Sequence, residues 1–462
     1  MDTIIIGTLK KVPLDTEKGR LPTYLERKRH HPEAERIILT ISSDVTSIRD
    51  GAFSAIGRFN SIVIPSSVTR VDAGVFWLPD LDEIVVESGN EYYSSIDGVL
   101  YNKIQTELIR CPMGKRGGLI IPSSVTSICE DAFLDCDWLE EIVVETENKV
   151  YSSLDGVLYN KERTELIKYP QGKSGDVIIP LGVSNIGAFA FVSCDSLKNV
   201  MIPMGVTSIG DGAFESCHLL TSVKIPNSLT CIGNRAFQCC HLLESVKIPD
   251  GVKCIGEDTF YRAGLTSIIL PSTVQRIGDG AFQECGSLTH IEIPSSVTSI
   301  GKCAFCSCGL LDSVVIPSSV TNIGEDAFAG CDGVDEFVVE NGNENYSSLD
   351  GILYNKEQTE LIKCPVGKSG EVIIPESVTN IKPYAFAGCG SIKNVTFPKG
   401  VVGIGEGAFR NCIALENVMI PESVKEMGWN AFEGCCRLTN LQFPKDAKII
   451  RGLPMDVDDM PF

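Results

Sequence analysis

The sequence predicts a repeat solenoid rich in β-structure, with about 13 units of 23 residues and three 35-residue insertions. Its 462 residues exceed what one compact core usually holds, which leaves several domains or one elongated array. Two periodic features favour the array. A proline after Ile, Leu or Phe recurs every 23 residues, once after 22, at Pro180, Pro203, Pro226, Pro249, Pro271, Pro294 and Pro317, and again at Pro375, Pro398, Pro421 and Pro444. A phenylalanine recurs with the same period at Phe53, Phe76, Phe133, Phe191, Phe214, Phe237, Phe260, Phe282, Phe305, Phe328, Phe386, Phe409 and Phe432.

Each unit reads approximately Ile-Pro-x-Ser-Val-Thr-x-Ile-Gly-x-x-Ala-Phe-x-x-Cys-x-x-Leu-x-x-Val-x. The segment Leu-x-x-Val-x-Ile has the alternation of a short strand with one buried face, and proline ends it because proline lacks the ladder N–H. The following Val-Thr-x-Ile-Gly predicts a second short extended segment on the opposite side of the coil. No unit can bury its apolar residues alone, so stacking must join them into one core.

Three units carry nearly identical insertions, at 87–121, 145–179 and 340–374. They share the text Tyr-Ser-Ser-x-Asp-Gly-Val/Ile-Leu-Tyr-Asn-Lys-x-x-Thr-Glu-Leu-Ile. Within it, Val-Leu-Tyr-Asn and Thr-Glu-Leu-Ile predict the two strands of a hairpin that is inserted into, or caps, a coil.

The repeats divide the chain into an N-terminal cap segment over 1–36, the solenoid over 37–444 and an acidic C-terminal tail over 445–462. A basic cluster at 27–31 falls in the cap segment and is interpreted as solvated. The N-terminal text lacks the charged region and apolar stretch of a signal peptide, and no apolar run reaches the roughly 18 residues of a membrane span. These features predict a cytoplasmic protein that does not insert into membranes.

The composition limits the possible partners. Apolar residues make up 43% of the chain, enough for a continuous core, while 43 Gly and 23 Pro imply frequent turns. The net charge of −20 opposes binding to nucleic acid and to anionic membranes, because a strongly acidic surface repels both. Basic or neutral partners are favoured instead.

The cysteines follow the repeat. Their number, 19, is odd, and many share one position of the unit, which indicates buried reduced thiols that pack as small hydrophobes. This thiol ladder comprises Cys136, Cys194, Cys217, Cys240, Cys285, Cys308, Cys331, Cys389, Cys412 and Cys435. Cys239 and Cys436 neighbour ladder residues and are expected to face outward. Cys303 and Cys306 have a Cys-x-x-Cys spacing, but the repeat itself supplies the Ala-Phe between them, so the spacing is interpreted as coincidence.

The sequence contains no catalytic, cofactor-binding or metal-binding motif that would indicate an enzyme. No Ser-His-Asp set, phosphate loop or dinucleotide fingerprint is present. His218 and His241 share one repeat position and are expected to stack one coil apart, with a metal clip as the alternative. We therefore expect a protein without enzymatic activity, cofactor or metal.

The repeated Ile-Gly-x-x-Ala-Phe-x-x-Cys and the Asp-Gly-Val-Leu-Tyr insertions resemble the BspA-like, or Treponema-type, leucine-rich repeat family from about Ile37 to Pro444. The resemblance implies a leucine-rich-repeat solenoid that binds proteins or mediates adhesion without enzymatic activity. It also implies a cell-surface or secreted location, in contrast to the cytoplasmic location expected from the N-terminus. An intracellular structural or scaffold component of a larger assembly is the alternative function.

The strand positions that point away from the core are the expected binding face for a protein or an extended peptide. In Leu-x-x-Val-x-Ile these are the second, third and fifth positions. The predicted protein-binding face comprises Met201, Lys224, Lys247, Ile269, His290, Glu292, Val315, Val338, Asn394 and Met419. Two alternatives remain open at this stage. The sheet face is inert and the partner binds elsewhere, or the three similar insertions make repeated, multivalent contacts.

Overall fold

The computed structural model describes residues 9–12, 36–53, 59–439, 441 and 447–450. Most of the predicted cap segment, with its basic cluster, and most of the predicted tail lie outside these residues. The chain divides into two compact units. Unit 1 consists of Met1–Ser174 and Phe191–Ser196, and unit 2 consists of Gly175–Ala190 and Leu197–Phe462.

Each unit is a β-solenoid whose coils contain two short strands on opposite sides. The longer strands of successive coils form the first sheet, in which equivalent residues of neighbouring coils pair in parallel, such as Asn199 with Ser222. The first-sheet strands are Arg36–Thr40, Ser61–Ile64, Glu83–Val86, Gly117–Ile121 and Leu139–Val144 in unit 1, and Val177–Ile178, Asn199–Met201, Ser222–Lys224, Ser245–Lys247, Ser267–Ile269, His290–Ile291, Ser313–Ile316, Glu336–Val339, Gly370–Ile373, Ile392–Thr396 and Asn417–Val418 in unit 2. A further strand, Leu9–Val12, pairs antiparallel with Arg36–Thr40. The strand predicted from Leu-x-x-Val-x-Ile is confirmed.

The second short extended segment is also confirmed, because it forms a second parallel sheet. The second-sheet strands are Ser47–Ile48, Arg70–Val71, Glu107–Arg110, Ser127–Ile128 and Glu165–Lys168 in unit 1, and Asn185–Ile186, Ser208–Ile209, Cys231–Ile232, Cys254–Ile255, Arg276–Ile277, Ser299–Ile300, Asn322–Ile323, Glu360–Lys363, Asn380–Ile381, Gly403–Ile404, Glu426–Gly428 and Lys448–Ile450 in unit 2. A single 3-10 turn, Ala73–Phe76, is the one helical element of the described chain.

Two turns connect the sheets. At the end of the first-sheet strand the proline carbonyl accepts the N–H of the valine three residues later, as in Val252 N to Pro249 O at 3.1 Å. The second turn enters Ala-Phe through a residue in the left-handed region, with φ of 56° at Gly212 but also 55° at Arg235. The intercoil hydrogen bonds of this turn therefore hold the conformation even where the residue is not glycine.

The core of unit 2 contains a column of parallel phenylalanine rings. Consecutive rings have centroids 5.3 to 5.5 Å apart and planes within 9° of parallel. The column comprises Phe214, Phe237, Phe260, Phe282, Phe305 and Phe328, all buried. A second column, Phe386, Phe409 and Phe432, has spacings of 4.6 and 5.0 Å. One ring per coil thus ties each coil to the next, which is why no coil is stable alone.

Each insertion adds three antiparallel strands and not only the two predicted for a hairpin. The extra first strand is Tyr93–Ile96, Tyr151–Leu154 or Tyr346–Leu349, and it pairs with Val99–Asn102, Val157–Asn160 or Ile352–Asn355 respectively. The third strand joins the second sheet, where Glu107–Arg110 and Glu360–Lys363 pair in parallel with the next coil. The insertion therefore forms a coil of its own, enlarged by a hairpin.

Candidate functional site

The outward side chains of the first sheet in unit 2 form a row, because strands that pair with each other are in register. Ile178 lies beside Met201, and Met201 lies beside Lys224. Further along the same sheet, Val315 lies beside Val338. Parallel strands lie about 4.8 Å apart, so side chains at one repeat position follow one another at that spacing. We call this surface of unit 2 the first-sheet face.

The structure places nine of the ten residues of the predicted binding face on its exposed surface. The exposed residues are Met201, Lys224, Lys247, Ile269, His290, Glu292, Val315, Val338 and Met419. The exception is Asn394, which is half-buried because the Asn417 amide lies against it, with Asn417 Nδ2 donating to Asn394 Oδ1 at 3.4 Å. Asn394 is therefore a supporting residue of the sheet and not a fully open contact position.

Sequence reasoning missed several exposed apolar residues of the same row. Ile178 and Ile373 occupy the fifth position in the coils that follow an insertion, and both are exposed. In unit 1, Ile120 and Val143 pair with each other at the same position and are exposed as well. The coils of Ile120, Ile178 and Ile373 lack the usual Leu-x-x-Val text, but each retains an apolar residue two positions before its proline. That residue is the signal by which the sequence reveals them.

Polar side chains at the third position form hydrogen-bonded rungs beside the apolar row. Ser222 Oγ donates to Asn199 Oδ1 at 2.8 Å, and Asn199 Nδ2 donates to Asp176 Oδ1 at 2.9 Å. Further along, His290 Nδ1 lies 3.6 Å from Asp312 Oδ1. These bonds link side chains of successive coils, so the rungs hold the sheet surface in one arrangement.

The charge along the first-sheet face is not uniform. Its first coils carry Lys224 and Lys247 at the fifth position, whereas the coils around Val315 carry acidic residues. The exposed acidic residues there are Glu292, Asp312, Asp335 and Glu336. A partner segment that crosses this face therefore meets a basic region and then an acidic one, which gives the face a direction.

Nine of the ten thiol-ladder residues are buried, and Cys435 is half-buried at the last coil of the ladder. The thiols are also hydrogen-bonded. Cys285 Sγ donates to Phe260 O at 3.0 Å, and Cys331 Sγ donates to Phe305 O at 3.0 Å, one coil earlier in each case. Burial raises the pKa of Cys285 and Cys331 to about 12, so they are neutral thiols at physiological pH. These buried ladder thiols therefore support the fold and are not nucleophiles, whereas a hydrogen bond with Cys412 lowers the pKa of the half-buried Cys435.

The remaining cysteines differ in exposure. Cys436 is exposed, as expected, whereas Cys239, which was also expected to face outward, is half-buried. Cys231 is exposed as well, although the sequence analysis did not identify it as an outward-facing thiol. Cys303 and Cys306 close a turn in which Cys306 N donates to Cys303 O at 2.9 Å. A hydrogen bond between the two thiols lowers the pKa of Cys306 and raises that of Cys303. The two thiols thus interact, although the spacing itself comes from the repeat.

His218 and His241 stack as predicted, with ring centroids 5.0 Å apart and planes 6° from parallel. Each Nδ1 faces a backbone carbonyl of the next coil, Cys239 O at 3.1 Å and Arg262 O at 3.0 Å. Because both rings are held parallel, their Nε2 atoms do not converge on one point, which argues against a metal clip. Across the described residues, no group of three or more His, Cys, Asp or Glu side chains is arranged to hold a metal ion.

The residues that the three insertions share make hydrogen bonds within the fold. The Asn343 amide is buried, donates to Pro317 O at 2.8 Å and to Val320 O at 3.1 Å, and accepts the N–H groups of Asn345 and Tyr346. Asn90 and Asn148 make the same bonds in the other two insertions. The repeated Ser-Ser, Asn-Lys and Thr residues hydrogen-bond likewise within the hairpin or to adjacent coil backbone.

Some exposed positions of the insertions differ among the three copies, whereas others are the same, such as Asp97, Asp155 and Asp350. Tyr92 in the first copy corresponds to Val150 in the second and Asn345 in the third, and all three are exposed. Ile104 is likewise replaced by Glu162 in the second copy. Repeated, multivalent contacts by the three insertions therefore stay a prediction that would depend on the exposed residues common to the three copies.

The paired parallel sheets and the stacked coils define a repeat solenoid of the leucine-rich-repeat type. The family profile described as BspA type leucine rich repeat region (6 copies) matches residues 35–105, 117–174, 169–285, 253–350 and 366–452. The protein belongs to this family. Membership indicates a repeat module for protein interaction or adhesion, of a fold that is typically non-enzymatic.

Solved structures of bacterial proteins are similar to this chain. A leucine-rich repeat protein from Eubacterium ventriosum is 25% identical with a TM-score of 0.51, and the similarity covers 64% of this chain and 92% of that one. A leucine rich cell surface protein from Faecalibacterium prausnitzii is 27% identical with a TM-score of 0.50, covering 77% of this chain and 83% of that one. No curated protein matches the chain significantly. Within the described residues, no helix has the length and apolar character needed to cross a membrane.

Proposed function

We propose that this protein is a non-enzymatic protein-interaction or adhesion module whose recognition surface is the first-sheet face. One observation carries the proposal. Exposed Met201, Ile269, Val315, Val338 and Met419 recur at one repeat position, on a surface where the fold makes no use of apolar side chains.

The equivalent positions in other coils carry lysine and glutamate, at Lys224, Lys247 and Glu292, and the two lysines stand in register with Met201 and Ile269 respectively. The apolar residues are therefore dispensable for folding, and each leaves apolar area in contact with water. Exposed apolar surface bordered by polar groups is typical of protein-interaction sites. The hydrogen-bonded rungs beside the row keep this surface rigid, which reduces the entropy lost on binding.

A protein or an extended peptide fits this surface better than a small molecule does. The face is an open sheet, and the described titratable side chains on it do not converge on a reaction centre, in contrast to an enzyme site. The cell-surface description of the Faecalibacterium prausnitzii protein supports a role in adhesion. We accordingly propose a cell-surface or secreted location, with the solenoid over 37–444 between a cap segment and an acidic tail.

The proposal is tested by two substitutions in one coil. Val315→Glu places a charge on the first-sheet face, and Asn322→Glu places the same charge on the exposed second sheet. Once a partner has been purified, we expect Val315→Glu to weaken its binding about tenfold or more, since desolvated contacts at an interface centre exceed about 1.4 kcal/mol. Asn322→Glu should leave the affinity unchanged. Equal affinities for both variants and the original chain would exclude the first-sheet face as the recognition surface.

A further inference from the structure

Four large apolar side chains cluster in two successive coils at the start of unit 2. Ile178 and Met201 are paired across the first sheet, and their side chains are 74% and 49% exposed. Leu181 and Met204 follow three residues later in the same coils, just after the proline, and are 85% and 66% exposed. We call these four residues the apolar patch.

The coil does not require apolar residues at these positions. In the next coil the same two positions hold Lys224 and Asn227, and in the coil after that they hold Lys247 and Asp250. The first-sheet strands Ser222–Lys224 and Ser245–Lys247 keep the length of Asn199–Met201, and Ser222–Lys224 pairs with it in register. The apolar patch is therefore a local feature of two coils and not a consequence of the repeat.

Lysines border the apolar patch on one side. Lys224 pairs directly with Met201, Lys247 follows at the same position one coil later, and the exposed Lys198 directly precedes the strand of Met201. None of these three ammonium groups forms an ion pair with a described residue. In a chain with a net charge of −20, these three lysines are cationic groups open to a partner beside exposed Met and Ile, with exposed Asp176 and Glu244 in the same coils.

We propose that the apolar patch and its lysines bind a protein segment that combines apolar side chains with acidic residues. This inference rests on the proposed function of the first-sheet face and names the chemistry of its partner at one end. Apolar side chains of the segment would cover Ile178, Leu181, Met201 and Met204, while its carboxylates would lie against Lys224 and Lys247. Unbranched methionines adapt to the shape of a bound side chain, and the lysines supply orientation and electrostatic attraction.

A second copy of this chain is a poorer occupant of the apolar patch. A twofold dimer through this surface would bring the same lysines together, and the two chains would repel each other through their net negative charge. An acidic, apolar segment on another protein satisfies both the exposed apolar area and the unpaired lysines. The complementary charge is what selects this partner class.

The test uses the full chain and two labelled synthetic peptides of roughly 10 residues, enough to cross four coils at about 4.8 Å each. One peptide alternates Leu with Glu, and the other alternates Ser with Glu. Fluorescence anisotropy should show that the Leu/Glu peptide binds at least tenfold more tightly than the Ser/Glu peptide. Its affinity should fall at least tenfold in Met201→Glu and in Lys224→Glu, and should weaken as salt increases.

Asn322→Glu is the control, because Asn322 is exposed on the second sheet and lies outside both the apolar patch and the first-sheet face. It should not change the affinity, and thermal unfolding should show that all variants are folded. Equal binding of the two peptides, no binding of either, or an equal loss in Asn322→Glu would overturn the inference. So would binding of the patch to phosphatidylserine vesicles without binding to the Leu/Glu peptide. If the peptide test failed but Val315→Glu still weakened the binding of a purified partner, only this inference would be overturned, and the proposed function would stand.

Discussion

Replacing Phe282 by alanine is expected to lower the free energy of unfolding of unit 2 by about 3–5 kcal/mol. Phe282 is fully buried, and its ring lies 5.5 Å from that of Phe260 and 5.3 Å from that of Phe305. The substitution therefore removes a large apolar side chain and two ring contacts, each of about 0.5–1.5 kcal/mol. Because the stability of a solenoid comes from contacts between neighbouring coils, the loss weakens the array at that point. Urea unfolding followed by circular dichroism measures the change.

Ile269→Ala is the matched control for this substitution. Ile269 is 64% exposed on the first-sheet face, so its truncation should change the free energy of unfolding by less than about 0.5 kcal/mol. If the two variants were equally stable, the phenylalanine column would not be the structure that holds the coils together.

Replacing Asn343 by leucine is expected to lower the free energy of unfolding by about 3–5 kcal/mol, although the branching of the side chain and its number of heavy atoms are unchanged. The substitution leaves the carbonyls of Pro317 and Val320 and the N–H groups of Asn345 and Tyr346 without their partner. A buried polar group left unpaired costs about 1–3 kcal/mol. The third insertion is expected to lose its order first, which hydrogen exchange of Tyr346–Leu349 would detect.

The exposed Asn345 provides the comparison for Asn343, since Asn345→Leu alters an asparagine in the same turn without removing those four bonds. We expect it to change stability by under about 0.5 kcal/mol. A similar loss in both variants would mean that the shared asparagine is not the residue that fastens the insertion to its coil.

The two sheets, the columns of Phe and the ladder of Cys could be predicted from the repeat, because the apolar pattern within each unit determines which of its residues point inward. Apolar alternation in Leu-x-x-Val-x-Ile, for example, places Val200 in the core and Met201 at the surface. A period shared by many copies averages out single exceptions, which is why the fold was predictable from one sequence.

The extra first strand of each insertion was not predictable in the same way. Its text, Tyr-Ser-Ser, lacks apolar alternation, and it is held by side-chain hydrogen bonds such as Val339 N to Ser348 Oγ at 3.1 Å. The left-handed turn at Arg235 is likewise set by intercoil bonds, since Arg235 N donates to Glu257 O at 2.8 Å. The hydrogen-bond partners in these two cases are 9 and 22 residues apart, so the local sequence around either residue does not indicate the bond.

The apolar patch illustrates the limit for the candidate site. Ile178 and Leu181 follow an insertion, where the repeat text is broken, and their exposure becomes evident only when Ile178 is seen paired with Met201. Leu181 and Met204 stand after the proline, outside the strand from which the binding face was predicted. A cluster of exposed side chains forms only where the coils that carry them are adjacent. Predicting such a cluster therefore requires the register in which the strands of neighbouring coils pair.

Photo-crosslinking tests the central claim most directly. A photoreactive amino acid is placed at Val315 or Val338 on the first-sheet face, or at Asn322 on the second sheet, and each variant is irradiated with the purified partner. The account predicts crosslinks from positions 315 and 338 and none from position 322. Crosslinks from position 322 alone would contradict it and move the recognition surface to the second sheet.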